Sequence, residues 1–255
     1  MAWMQTIQVE PVERATLAAI CPAVMEELAG WLLGLDPGTV GRAHSAVPLQ
    51  HAEPDGAVLA AIEARYAAHR LSPVFRLPLA ASFELLHEAL ARRGYVPVQR
   101  TQVQTAPARA MVQRFSRSGV ELATVPDEAW TAVFLGEGFD PVDGANRVRM
   151  LSRAKGAVFA SVRVNGRVVA AGVGCFSHGW ASVHGMRTAL GHRGQGLAGG
   201  ILGALAGEAQ ARKIEQVFLQ VDAGNTNAQS LYRQAGFTTA WTYDYWRKPV
   251  PHHLA

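Results

Sequence analysis

The sequence predicts an α+β protein of two tandem halves, with the chemistry confined to the second. Three observations lead there. Residues 158–188 read as three strands separated by tight-turn signals, the pattern of an antiparallel meander. That meander runs into Arg193-Gly194-Gln195-Gly196-Leu197-Ala198, a glycine loop opening a helix of small residues. The first half then repeats the spacing of the second. A shift of 142 positions lays Gly94-Tyr95 on Gly236-Phe237, and Val74-Phe75-Arg76-Leu77 on Gln216-Val217-Phe218-Leu219, without a gap.

The elements of the second half follow in order. Residues 120–125 alternate like a strand, and Pro126-Asp127 starts a helix toward Phe134. A second helix is expected over 143–154 and a strand over 158–164. Asn165-Gly166 is the strongest short hairpin signal, so the chain returns over 168–176. Ser177-His178-Gly179 turns it again into 180–188. After the loop come a helix, a strand over 216–221, a helix over 227–235 and terminal strands. Residues 107–119 are polar and basic and end in Ser118-Gly119, which suggests a joint. The expected division is 1–108, a linker at 109–118, and 119–255.

Within the repeat the chemistry is not kept. Arg193 to Ala198 falls on His51-Ala52-Glu53-Pro54-Asp55-Gly56, Tyr232 on Leu90, and Asn225 on Phe83. A true repeat makes the first half a scaffold that lost its site. Chance similarity of two strand–helix–Gly-aromatic units is the alternative.

Composition excludes several classes. The chain has 255 residues, 49% of them hydrophobic, enough for one large or two small cores. Its net charge is +4, with Lys and Arg scattered rather than blocked, so no nucleic-acid stripe is expected. Cys21 and Cys175 are too few for a metal site or a disulfide framework. Residues 1–10 lack a signal pattern, and no apolar run reaches the ~20 residues of a membrane helix. A cytoplasmic protein without metal, nucleic-acid or membrane partners is the expectation.

The glycine loop suits phosphate. A helix N-terminus presents unpaired N–H groups and partial positive charge, glycines allow close backbone approach, and Arg193 adds a formal charge. Alone, the loop fits a surface turn equally well. A dinucleotide fold needs a different glycine order inside a parallel β-α-β unit, whereas hairpins precede this loop.

About thirty residues later stand Asn225-Thr226-Asn227-Ala228, Leu231-Tyr232 and Gly236-Phe237. In this order and spacing, loop and second element resemble the acyl-coenzyme A site of the GNAT acetyltransferase superfamily. Arg193, Gly196 and Ala198 match the family's loop pattern, while Leu190 stands where a proline is common. The resemblance is specific over residues 156–237 and looser before 108, where Gly30-Trp31-Leu32-Leu33 and Arg42-Ala43-His44-Ser45 resemble the first halves of certain two-domain relatives. It implies two tandem GNAT-like α/β/α domains with mixed, largely antiparallel sheets, the N-terminal one degenerate. It implies acetyl-CoA as cosubstrate, its pyrophosphate on residues 193–198. Asn225 and Ala228 would meet the pantetheine arm, Tyr232 would protonate the departing thiolate, and Met186 and Thr188 would flank the acyl group through their backbone.

On residues 180–188, Ser182, His184, Met186 and Thr188 are expected on one face. His184 is the candidate general base, since an unperturbed imidazole titrates near 6.5. A half-buried, backbone-bonded histidine is the alternative. Asn227 is expected as a helix cap. Glu137, Asp140 and Asp143 either attract a cationic amine or form a solvated, capping loop. Trp241, Tyr243 and Tyr245 read as core. The function expected is acetyl transfer from acetyl-CoA to a primary amine by direct attack, with a small-molecule acceptor. The alternatives are an acyl-CoA-binding sensor without catalysis and a peptide or protein N-acetyltransferase.

Overall fold

The structure, a computed structural model, describes residues 8–52 and 55–249. Helix α1 (Val9–Ile20) precedes β1 (Val24–Leu28), β2 (Trp31–Leu35) and β3 (Ala46–Pro48). Helix α2 (Val58–Ala68) leads to β4 (Phe75–Pro78), and α3 (Glu84–Arg92) to the long β5 (Val96–Pro107). Helix α4 (Ala108–Arg114) follows directly, then β6 (Val120–Ala123), α5 (Glu128–Ala132) and α6 (Pro141–Leu151). Strands β7 (Val158–Val164), β8 (Arg167–Ser177) and β9 (Trp180–Thr188) form the meander. Helix α7 (Leu197–Ala211), β10 (Gln216–Asp222), α8 (Thr226–Gln234) and β11 (Thr238–Arg247) complete the chain.

Local signals explain the boundaries. Asn165 and Gly166 both take positive φ, 50° and 76°, which turns β7 into β8 with the twist a hairpin needs. Asp127 caps α5 by accepting from the Trp130 amide at 2.6 Å. Helix α6 starts earlier than expected because Asp140, not Asp143, is its cap, with Pro141 in its first turn. Likewise Asn225, not Asn227, caps α8, its side chain accepting from the Ala228 amide at 3.1 Å.

The sheet differs from the expected pair of domains. All the described strands join one sheet in the order β1-β2-β3-β4-β11-β5-β10-β9-β8-β7-β6. The halves exchange strands: β5 of the first pairs antiparallel with β10 of the second, and β11 of the second sits between β4 and β5 of the first. A division at 109–118 therefore does not separate two sheets. Nor is that segment a spacer. It begins with α4, and Phe115 beyond it lies against α7. A Cβ at Gly199 would stand 2.6 Å from the Phe115 ring, and one at Gly203 3.1 Å from Phe115 Cβ. The glycines of α7 thus face the inter-half segment. Close approach to the sheet is given instead by β8, where a Cβ at Gly172 or Gly174 would meet Ile201 or Leu205 within 3 Å.

Helix α1 ties the halves together. Its Val12 and Ala15 pack with Val74, Phe218, Tyr243 and Tyr245, which come from both. Its Glu13 meets Arg76 of β4 at 2.8 Å with both side chains buried, and Arg76 also donates to Ser45 Oγ at 3.1 Å. The Arg76 guanidinium lies 5.3 Å from the centroid of the Tyr243 ring. No helix among the described residues is long and apolar enough to cross a membrane.

Removing one partner of such a pair leaves a buried charge. Arg76→Ala will lower stability by about 3–5 kcal/mol in urea unfolding, whereas Glu13→Leu with Arg76→Met together will cost much less. Equal losses in both would show that the charges themselves do not matter.

Candidate active site

Strands β9 and β10 run parallel but pair only at Val217–Ala181, Phe218–Ser182 and Leu219–Val183. Beyond those positions β10 stays with β5 as far as Asp222–Thr101, while β9 stays with β8. The two diverge, and the wedge between them holds two adjoining spaces.

The larger is a cleft of about 750 Å³. Met186, Thr188, Arg193, Gly194, Gly196, Leu197, Ala198, Asn225 and Ala228 all line it, so nearly every expected cofactor contact comes together here. Gln195 does not line it, and its side-chain amide turns toward the Gly191 carbonyl at 3.5 Å. Gly194 and Gly196 have φ of 75° and 78°, with nothing within 4 Å of where a Cβ would be. Gly196 is the N-cap of α7 and offers no side chain, so the amides of Leu197, Ala198 and Gly199 have no intrahelical acceptor. Arg193 Nε donates to the Thr188 carbonyl at 3.3 Å and anchors the loop to the end of β9. Open amides, a helix N-terminus and flanking cations fit a pyrophosphate.

Strand β9 does not alternate as expected. Ala171 pairs with Arg187 and Val173 with His184, so Gly172 faces both Gly185 and Met186. Gly185, at φ 59°, makes this a bulge. Ser182 and His184 share one face, where His184 Nε2 lies 2.9 Å from Ser182 Oγ and its ring 6.5 Å from that of Phe218. Met186 is turned to the other face, against Gly172 and the core under α7.

The smaller space, about 260 Å³, lies on the other side of the wedge. His184 lines it, with Arg42, Arg147, Arg187, Gln220 and Asp222. Tyr232 lines both spaces and stands where they meet, its ring edge-on to Phe237 at 5.8 Å.

A protein-family model described as "Probable histone acetyltransferase Rv0428c C-terminal" matches residues 6–246. The chain belongs to this GNAT family of N-acetyltransferases. It is an acetyl-CoA-dependent acyltransferase. The "Uncharacterized N-acetyltransferase YobR" of Bacillus subtilis is 28% identical over 243 residues, covering 93% of this chain and 97% of that protein. A GCN5-related N-acetyltransferase from Kribbella flavida has a similar fold, with TM-score 0.69, 20% identity, and 96% and 97% of the two chains covered. A tandem GNAT protein from the clavulanic acid biosynthesis pathway aligns with TM-score 0.59 and 11% identity over 93% and 94%.

In this N-acetyltransferase burial sets the protonation states at the wedge. It pushes the Tyr232 phenol up to about 12, so that group stays protonated. Burial, with Arg42 adding to it, brings His184 down to about 3. The Ser182 hydroxyl lies 2.9 Å from His184 Nε2 and 3.4 Å from the Cys175 carbonyl oxygen. An imidazole held so low is uncharged at neutral pH. Burial also raises both thiols, Cys175 to about 12, so neither is a thiolate nucleophile at neutral pH.

Two of the three acids of the 135–143 segment are engaged locally. Asp140 is a cap, and Asp143 holds Arg147 at 2.5 Å and Arg187 at 3.7 Å. Arg42 lies in the segment that resembles two-domain relatives but was given no role there, and Arg147, Arg187, Gln99 and Thr101 carried no motif. Several belong to the first half or to the exchanged strand, and only the tertiary fold brings them to the site.

His184 also makes stability depend on pH. Its folded value lies below its unfolded one, so the unfolded chain alone takes up the proton as pH falls from about 6.5 toward 3. The stability contribution is full above that window and is lost within it, at up to about 1.4 kcal/mol per pH unit. Urea midpoints at pH 7.5 and 5 will therefore differ less in His184→Gln than in the unaltered protein. An unchanged difference would place the imidazole in solvent.

Proposed function

We propose that this N-acetyltransferase moves the acetyl group of acetyl-CoA to the primary amine of a small molecule by direct attack, without an acyl-enzyme. The observation that carries this reading is Tyr232 at the junction of an anion-binding cleft and a small polar cavity. When bound, acetyl-CoA supplies a thioester carbonyl activated toward amines. The free amides of Leu197, Ala198 and Gly199, with Arg193, hold its pyrophosphate. Asn225 and Ala228, at the start of α8, line the path of its pantetheine arm. The bulge at Gly185 interrupts the β8–β9 ladder and frees backbone of β9, beside Met186, to bond the acyl carbonyl.

Tyr232 gives its proton to the departing sulfur, a task suited to a phenol that stays protonated well above neutral pH. His184, kept neutral by burial, orients the amine from the wall of the smaller space, and the amine's excess proton leaves by water. The raised thiols of Cys21 and Cys175 favour direct attack over a covalent route. The size of the cavity, about 260 Å³, favours a small acceptor over a peptide.

Residues 1–108 read as a degenerate copy. Asp55, Glu10 and Glu27 line the cavity at the start of α2, and such carboxylates oppose phosphate. Of the corresponding loop, residues 53 and 54 lie outside the described structure.

Titration calorimetry will show acetyl-CoA binding that Gly196→Val abolishes, because valine strains at φ 78°. In a thiol-release assay Tyr232→Phe will lower kcat by about 10²–10⁴-fold with acetyl-CoA affinity retained. Activity within a few-fold would remove Tyr232 from proton transfer. The kcat/KM will rise with pH as the acceptor amine deprotonates, with no imidazole limb near 6.5. A limb there that His184→Gln erases would restore histidine as the base.

A further inference from the structure

We propose that the acceptor carries a carboxylate or phosphate beside its amine, and that Arg42, with Arg147 and Arg187, binds that anion; this rests on the acetyl-transfer reading above. The ionisable side chains of the smaller space set three guanidinium groups against one carboxylate, Asp222. Asp222 is itself engaged, since its Oδ1 accepts from the Gly224 amide at 2.7 Å. Arg147 and Arg187 are held by Asp143, and Arg187 is stacked over Phe139 at 4.0 Å, so both are oriented before any ligand arrives.

Arg42 differs from them. It projects from the 3₁₀ turn Gly41–Ala43, and among the described residues it has no ion-pair partner. Its Nε is buried and makes no hydrogen bond there. Elsewhere this chain pairs a buried guanidinium with a carboxylate, as Arg76 is paired with Glu13. A desolvated donor without an acceptor is unfavourable, and a planar guanidinium matches a carboxylate or phosphate with two parallel bonds. Arg42 Nε is the unpaired buried donor on the wall of the smaller space, and an anion on the ligand would pair the Arg42 guanidinium there.

Charge and size narrow the class further. A purely cationic amine, or a lysine within a basic peptide, would meet net positive charge with no free carboxylate. An amine bearing its own anion cancels that repulsion. The space of about 260 Å³ lies below the about 300–1,000 Å³ typical of drug-sized ligands, which suits an acceptor of amino-acid size.

The test uses the full chain, acetyl-CoA and matched acceptors in a thiol-release assay. The pairs are amino acids against their amides, and phosphoethanolamine against ethanolamine, with a lysine-rich histone-tail peptide alongside. Expected is at least about a tenfold preference in kcat/KM for the anionic member of one series, and which series responds separates carboxylate from phosphate. Arg42→Gln will shrink that ratio toward one by raising KM. If that variant does not fold by circular dichroism, Arg147→Gln provides the same comparison. Equal or faster turnover of the neutral amines or the basic peptide would overturn the inference while leaving acetyl transfer intact. Absence of acetyl-CoA binding would overturn both. If acetyl-CoA binds but no acceptor turns over, calorimetric titration of the CoA-saturated protein decides. Binding of the anionic members that Arg42→Gln weakens supports the inference, and no binding of any of them overturns it.

Discussion

The ladder between β5 and β10 governs the rest of the molecule. Seven residue pairs, from Gln216–Pro107 to Asp222–Thr101, hold β10 against a strand of the first half. Against this, β10 shares only three pairs with its parallel neighbour β9. Antiparallel pairing is slightly the more stable per residue, so β10 follows β5 and parts from β9. The wedge that results is the candidate site. The first half thus shapes the wedge, and it supplies Arg42, Gln99 and Thr101 to the wall of the smaller space.

Within the wedge, one physical cause acts on two groups with opposite results. Desolvation disfavours charge, so it keeps the Tyr232 phenol protonated and the His184 imidazole neutral. Two uncharged groups capable of hydrogen bonding then line the same space. Fixed charge is carried instead by arginines, whose protonation no ordinary pH removes. Arg187 illustrates the balance: burial and then Arg147 lower its pKa, Asp143 raises it, and aromatic rings flank it.

Much of this was legible in the sequence where the cause is local. Asn165-Gly166 fixed a hairpin, Asp127 a cap, and Arg193 to Ala198 a loop before a helix, because each rests on the conformational preference of a few adjacent residues. The clustering of Asn225, Tyr232 and the loop was legible through spacing. What escaped depends on distant partners. The bulge at Gly185 reverses the faces beyond it, so Met186 parts from His184 although strict alternation puts them together. The basicity of His184 is set by burial, and the three arginines of the smaller space gather from separated segments. Strand exchange left no mark in the sequence, because either half alone offers β5 and β11 an acceptable alternating pattern.

The position of β11 bears on how the chain assembles. Strands β4 and β5 are close in sequence, yet they are not neighbours in the sheet: the slot between them belongs to residues 238–247, which are made well over a hundred residues later. During synthesis the first half therefore emerges with two unsatisfied strand edges facing an empty lane, the kind of surface that invites pairing with another chain. Its sheet closes only when β11 arrives from more than a hundred residues away, and such long-range closure is slow. The same insertion that gives the enzyme one continuous sheet makes the first half wait for the second, so the two reach their native state as a single cooperative unit.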